Sequence, residues 1–218
     1  TGRYSNGSVV EWKTVLVMPY DVPSGATWFK IEGNYDPNKP SRFSDIKLVG
    51  YRTFNSSSTT KHTGLLINKV INFRVDHCRF EHTCGKGIVA QGHYSSGVVD
   101  HSEFINDYGT TGLTLDESTV EYGISLSRAY PEAETDWEPD LTKILGKYLD
   151  YTVFIEDCYF TKWRSAIACN RGPHYVVRHC TFEHTLARGE VDAHPAWESM
   201  KPNVACRAME CYENVFKN

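Results

Sequence analysis

Phe73-Arg74-Val75-Asp76-His77-Cys78-Arg79-Phe80 recurs, with substitutions, along most of this chain. Residues 97–104 read GVVDHSEF, residues 153–160 read VFIEDCYF, and residues 175–182 read YVVRHCTF. Looser copies close at Phe54, after Ile46-Lys47-Leu48-Val49, and at Phe216, after Met209-Glu210-Cys211-Tyr212-Glu213-Asn214. Phe80 to Phe104 is 24 residues (104 − 80) and Phe160 to Phe182 is 22 (182 − 160), whereas Phe104 to Phe160 is 56 (160 − 104). A period of about two dozen residues with one long interruption is the signature of a solenoid.

Each copy alternates apolar with other residues, the period-two pattern of a strand, and a second short apolar stretch follows a few residues later. Those stretches are Gly64-Leu65-Leu66-Ile67, Gly87-Ile88-Val89-Ala90, Gly112-Leu113-Thr114-Leu115, Ala166-Ile167-Ala168-Cys169 and Val191-Asp192-Ala193-His194. Nothing between them has the length of the crossover helix that a βαβ unit requires. The strands must stack on their own images in neighbouring repeats, so an all-β solenoid is expected. Its expected organisation is one domain over 1–218: irregular first coils over 1–44, regular coils over 45–116, an insertion over 117–150 that carries one more coil-like strand, Gly123-Ile124-Ser125-Leu126, before its loop, and coils again over 151–218.

Composition narrows the function classes. With 27 acidic against 23 basic residues and a formal charge of −4, the chain carries no electrostatic footprint for nucleic acid. No apolar run approaches the roughly 20 residues of a transmembrane helix. The chain begins Thr1-Gly2-Arg3, without an initiator Met or a signal-peptide pattern, and is expected to be a processed piece of a longer protein. Seven cysteines include no C-x-x-C, and Cys78 and Cys84 with His77 and His82 lack the tight spacing of structural zinc. There is no Walker loop or dinucleotide fingerprint, so nucleotide cofactors are not expected.

The rungs resemble the right-handed parallel β-helix proteins of the pectate-lyase-like superfamily, which includes pectate lyases, polygalacturonases, uronan epimerases and phage tailspikes. The likeness runs from about residue 45 to the end. FIEDCYF, SAIACN, YVVRHCTFEH, VDAH and AMECYENVF are also similar to a bacterial and archaeal group of β-helix repeat proteins without an assigned function. What the resemblance implies is architecture, an extracellular or cell-surface setting and carbohydrate as the ligand class; it does not select a substrate.

In such a fold equivalent residues of successive coils stack about 4.8 Å apart, so each column of the repeat is a physical ladder. Cys78, Ser102, Cys158, Cys180 and Asn214 share one column, compatible with a buried thiol stack or with a Cys158–Cys180 disulfide. The closing phenylalanines form an aromatic spine. Two positions before the cysteine column lie Asp76, Asp100, Glu156, Arg178 and Tyr212, which strand alternation turns toward solvent; beside them lie His77, His101, Asp157, His179 and Glu213. Asp76-His77 and Asp100-His101 resemble the Asp-His of the pectate lyase W-x-D-H motif, making Asp76 and Asp100 candidate calcium ligands. Both lack the tryptophan, and no R-x-P-x-x-R segment is present to supply the catalytic arginine.

Asp192 and His194 form the leading catalytic pair, because their i, i+2 spacing puts carboxylate and imidazole on the same side of a strand. Register places Asn170 and then Asp116 in the His194 column, with Arg178 and Glu210 nearby in support. The acidic, aromatic stretch 130–140 is expected to be a loop over the coil, and Tyr130, Trp137, Trp163 and Trp197 are candidate faces for sugar rings. Two functions follow. One is a polysaccharide lyase, hydrolase or epimerase with no cofactor or with calcium. The other is a non-catalytic solenoid, an adhesin or filament subunit, whose uncapped strand edges join another subunit or more of the parent chain.

Overall fold

A computed structural model of the chain describes residues 4–5, 8–9, 12, 14–18, 23, 25–34, 36–50, 61–83, 85–92, 94–106, 120–127, 151–183, 189–195, 205–206 and 208–217. Strands β1 (Tyr4–Ser5) and β2 (Ser8–Val9) pair antiparallel; every other described strand belongs to one of three parallel sheets. The first sheet stacks β4 (Thr27–Glu32), β7 (His62–Asn68), β10 (Gly85–Gln91), β13 (Val120–Ser127), β16 (Ser165–Asn170) and β19 (Val191–Ala193). In the second lie β5 (Ser41–Ser44), β8 (Phe73–Asp76), β11 (Gly97–Asp100), β14 (Thr152–Glu156), β17 (His174–Arg178) and β20 (Ala208–Tyr212). The third holds β3 (Val15–Val17), β6 (Lys47–Val49), β9 (Arg79–Glu81), β12 (Glu103–Ile105), β15 (Tyr159–Thr161), β18 (Thr181–Glu183) and β21 (Val215–Lys217). The chain visits the three sheets in turn, which makes it a right-handed parallel β-helix.

One apolar column from each sheet builds the core. Leu65, Ile88, Ile124 and Ile167 are in register in the first sheet, Val75, Val99, Ile155 and Val177 in the second, and Leu48, Phe80, Phe104, Phe160 and Phe182 in the third; all are buried. Fully burying such a side chain contributes about 1.5–3 kcal/mol, repeated at every rung. The phenylalanine rings stack at 5.0, 4.7, 5.1 and 5.1 Å from Phe80 through Phe216. Between second and third sheets each coil turns on one left-handed residue: Asp45, His77, His101, Asp157, His179 or Glu213, with φ from 47° to 62°. Such a residue reverses the direction in which the following side chain leaves the backbone.

Two expectations about chain organisation are corrected. Residues 27–44 are regular, since β4 and β5 pair in register with β7 and β8. In the coil below Phe80, register puts Leu48 in the phenylalanine column; Phe54 lies outside the described residues. The coil-like strand expected at Gly123-Ile124-Ser125-Leu126 is present within β13, a full rung between β10 and β16. Gly112-Leu113-Thr114-Leu115 lies outside the described residues. The Cys158 and Cys180 thiols are free and buried. Among the described residues no helix is long and apolar enough to cross a membrane.

Candidate functional site

The Asp-His pairs of the repeat sit where β8 and β11 end, and their carboxylates are buried beneath arginine side chains. Asp76 is 0% exposed; Arg42 Nε and Nη2 reach its two oxygens at 2.7 and 2.6 Å, and His77 Nδ1 lies 2.8 Å away. Arg74 repeats the fork on Asp100 at 3.0 and 2.7 Å, with His101 Nδ1 at 2.9 Å. The imidazoles of His77 and His101 stack at 5.2 Å. Each arginine reaches up one coil, so the ladder ties successive rungs together. Burial raises the Asp76 pKa, but the Arg42 and His77 hydrogen bonds outweigh it and hold the carboxyl below its ordinary value. The solvent-facing stripe and the calcium role expected of Asp76 and Asp100 are thus corrected, since every carboxylate oxygen already faces a guanidinium. Among the described residues no group of three or more His, Cys, Asp and Glu side chains is arranged to hold a metal ion.

Asp192 and His194 are brought together as their spacing requires. His194 Nδ1 lies 3.0 Å from Asp192 Oδ2, on the outer side of the first sheet, with the histidine side chain 32% exposed. Ser165 Oγ approaches the same oxygen at 3.5 Å, the outer limit of a hydrogen bond. The His194 ring lies 6.2 Å from that of Tyr122. Arg164 caps Tyr122, donating from Nη2 to the phenol oxygen at 2.5 Å with its guanidinium 4.9 Å from the ring centre.

A β-bulge prepares this corner. Gly85 pairs with Val120 but Lys86 with Tyr122, so Glu121 is an extra residue in the rung. Lys61 at 2.6 Å and Lys86 at 3.6 Å hold the Glu121 carboxylate; burial raises its pKa, and these cations lower it more. Lys86 also lies 5.9 Å from the Tyr122 ring centre. The result is a histidine oriented by a carboxylate and flanked by a phenol and cations.

The remaining site residues fall elsewhere. Arg178, on the second sheet, binds Glu156 at 2.5 Å and Tyr212 at 3.0 Å. Glu210 faces the buried His174, with Nε2 4.0 Å from Oε1. Neither contacts the Asp192–His194 pair in any hydrogen bond or ion pair among the described residues, which removes the supporting role expected of them. Asp116 lies outside the described residues, and Ser127 pairs with Asn170 where Asp116 was expected. Trp163 is 1% exposed and spends its indole N–H on the Phe104 carbonyl at 3.0 Å, so it has no face to offer a sugar. Tyr130, Trp137 and Trp197 lie outside the described residues.

Tyr122, Arg164 and Ser165 are the residues that sequence reasoning missed. Their signal was register: Tyr122 pairs with Ser165, but only once β13 is recognised as the rung below β16. A separate polar groove of about 530 Å³ crosses the third sheet, lined in part by Arg79, Glu81, Tyr159 and Glu183. There Arg79 is committed to Glu81 and Glu103, and the Tyr159 hydroxyl to Glu183, so these groups satisfy one another. Compared with family models, with curated proteins and with solved structures, the chain finds no match.

Proposed function

We propose that the chain is a pectate-lyase-like extracellular or cell-surface protein that acts on an acidic polysaccharide at the outer side of the first sheet. The single observation that carries this reading is the 3.0 Å contact between Asp192 and His194 beside Tyr122 and Arg164. With Nδ1–H donated to Asp192, His194 presents Nε2 as a proton acceptor, the arrangement of a general base. Arg164 and Lys86 supply positive charge for a uronate carboxylate. Tyr122 accepts from Arg164 and so keeps its own O–H to donate.

These roles compose a β-elimination. His194 Nε2 takes the proton from the carbon bearing the uronate carboxylate. The electron pair left behind forms a carbon–carbon double bond, and the glycosidic oxygen departs with a proton from Tyr122. The likeness of the rungs to secreted β-helix enzymes supports carbohydrate as the ligand class.

The test is to incubate the protein with a panel of uronate and neutral polysaccharides, with and without calcium, and to identify products by mass spectrometry. Unsaturated uronyl products support the elimination. Saturated oligosaccharides would replace it with hydrolysis, and configurational inversion at unchanged length with epimerisation.

A second reading rests on the ends of the third sheet. Val15, Leu16 and Val17 on β3 are 46%, 37% and 61% exposed, and Val215 and Phe216 on β21 are 50% and 56% exposed. Each of these strands pairs on one side only among the described residues. A second copy or further chain stacked there would extend the Phe182–Phe216 column, as in a structural solenoid. No product from any polymer, with light scattering that rises with concentration, would favour this reading.

A further inference from the structure

Six cysteines are described, all as free thiols, and their surroundings divide them sharply. Cys78, Cys158 and Cys180 are buried, with sulfurs facing backbone carbonyls such as Phe43, Val99 and Ile155 at 3.6 Å. Burial pushes the Cys78 thiol up to about 12 and raises Cys158 as well. Such thiols are inert, because the thiolate is the nucleophile and solvent reagents do not reach it. Cys211 is exposed, but burial of its sulfur still raises its pKa, and the sulfur accepts from Asn214 Nδ2 at 3.3 Å.

Cys169 and Cys206 differ from the buried neighbours Cys158 and Cys180 because one member, Cys206, is only half-buried. Cys169 ends the buried face of β16, and its sulfur donates to the Ala205 carbonyl at 3.4 Å. That carbonyl also accepts the Gly172 amide at 2.9 Å, which fastens residues 205–206 against the end of β16. Cys206 follows Ala205 directly and is half-buried against the core, which sets its side chain beside Cys169 at the end of β16. The neighbouring Cys169 thiol outweighs burial and draws Cys206 down to about 7, while burial drives Cys169 upward. A half-exposed sulfur with thiolate character thus sits on a buried partner thiol, the arrangement of an attacking and a resolving cysteine.

We propose that Cys169 and Cys206 form a dithiol pair that is oxidised by small-molecule disulfides of the glutathione type. The Cys206 thiolate attacks one sulfur of the small disulfide, forming a mixed disulfide and releasing one small thiolate. Cys169 gives its proton to that thiolate and attacks the Cys206 sulfur. The Cys169–Cys206 bond forms, and a second small thiol leaves after taking a proton from water. Two protein thiols are oxidised and one small disulfide is reduced to two thiols.

The bridge would join β16 to the segment that enters β20, a span of 37 residues (206 − 169). It would lie directly behind the candidate site, since the Cys169 carbonyl accepts the His194 amide at 3.1 Å. Closing a loop of this kind removes freedom from the unfolded chain, so the oxidised form should melt at a higher temperature.

The experiment treats fully reduced protein with oxidised glutathione, blocks remaining thiols and maps peptides by mass spectrometry. The wild-type protein should show one cross-link, between the peptides of Cys169 and Cys206, together with a raised melting temperature. Cys169→Ser should instead trap glutathione on Cys206. The wild-type map decides the matter by itself if that variant does not fold. A cross-link elsewhere, no cross-link, or glutathione retained on Cys206 in the wild type would overturn the proposal.

Discussion

Arg42 sets two nitrogens against the two oxygens of Asp76, and His77 supplies a third close contact, so a carboxylate with no exposure to water is fully engaged. Removing its charge leaves the shape but dismantles the fork. Asp76→Asn should therefore lower stability by about 2 kcal/mol in denaturant titration, without changing calcium affinity. A loss of calcium binding with unchanged stability would restore the metal role. This aspartate was misread because alternation tells which face a side chain leaves, not what covers it: Asp76 shares its face with Arg74, and the neighbouring strand brings up Arg42 from 34 residues away. Asp192 and His194 were legible for the opposite reason: both partners lie within one strand repeat, so spacing alone settles their contact. Arg178 and Glu210 were assigned from nearness between coils, which does not say which sheet a side chain serves.

At the scale of the element, the phenylalanine column is the clearest product of the repeat. Phe104 stacks between Phe80 at 5.0 Å and Phe160 at 4.7 Å and is fully buried, whereas Phe216 has a ring partner on one side and is 56% exposed. Phe104→Ala should cost about 3–5 kcal/mol by chemical denaturation, through lost contacts and the cavity left behind. Phe216→Ala should cost about 1 kcal/mol or less, because most of its ring area is already solvated. Equal costs would mean that the end of the column is covered as fully as its middle. The strands of the second and third sheets could be read from the sequence because their phrase ends on the same residue type. In the first sheet the core of β13 was legible as Gly123-Ile124-Ser125-Leu126, but its start was not, because the bulge at Glu121 breaks the period.

Across the whole molecule, buried titratable groups predict how the helix responds to acid. Burial holds His62 and His174 below their ordinary 6.5, against smaller opposing contributions from the Pro23 backbone and Glu210. The unfolded chain binds these protons first, so stability present above about 6.5 is lost as pH falls through that value toward the depressed folded pKa values. Asp76, Glu81 and Glu121 lie below their ordinary 3.8, 4.5 and 4.5 because their cationic partners outweigh burial, which adds a second loss as pH falls below those values. Thermal stability should therefore fall in two stages, one below about 6.5 and one below about 4.5, with His174→Gln shrinking the first. A melting temperature that is flat from neutral pH to about 5 would show that these histidines are not held neutral.

The overall architecture was legible because every coil repeats the same physical problem. The site was only half legible, because it forms where one rung departs from the repeat. Within it, Asp192 and His194 are proposed to perform chemistry rather than order the coil. The direct measurement is turnover of a uronate polysaccharide by Asp192→Asn and His194→Gln, each paired with its thermal unfolding curve. Turnover lost by about a hundredfold or more, with melting temperatures close to wild type, is the predicted result. Turnover retained in both variants, or lost only together with the fold, would contradict it and leave the pair as a structural ladder.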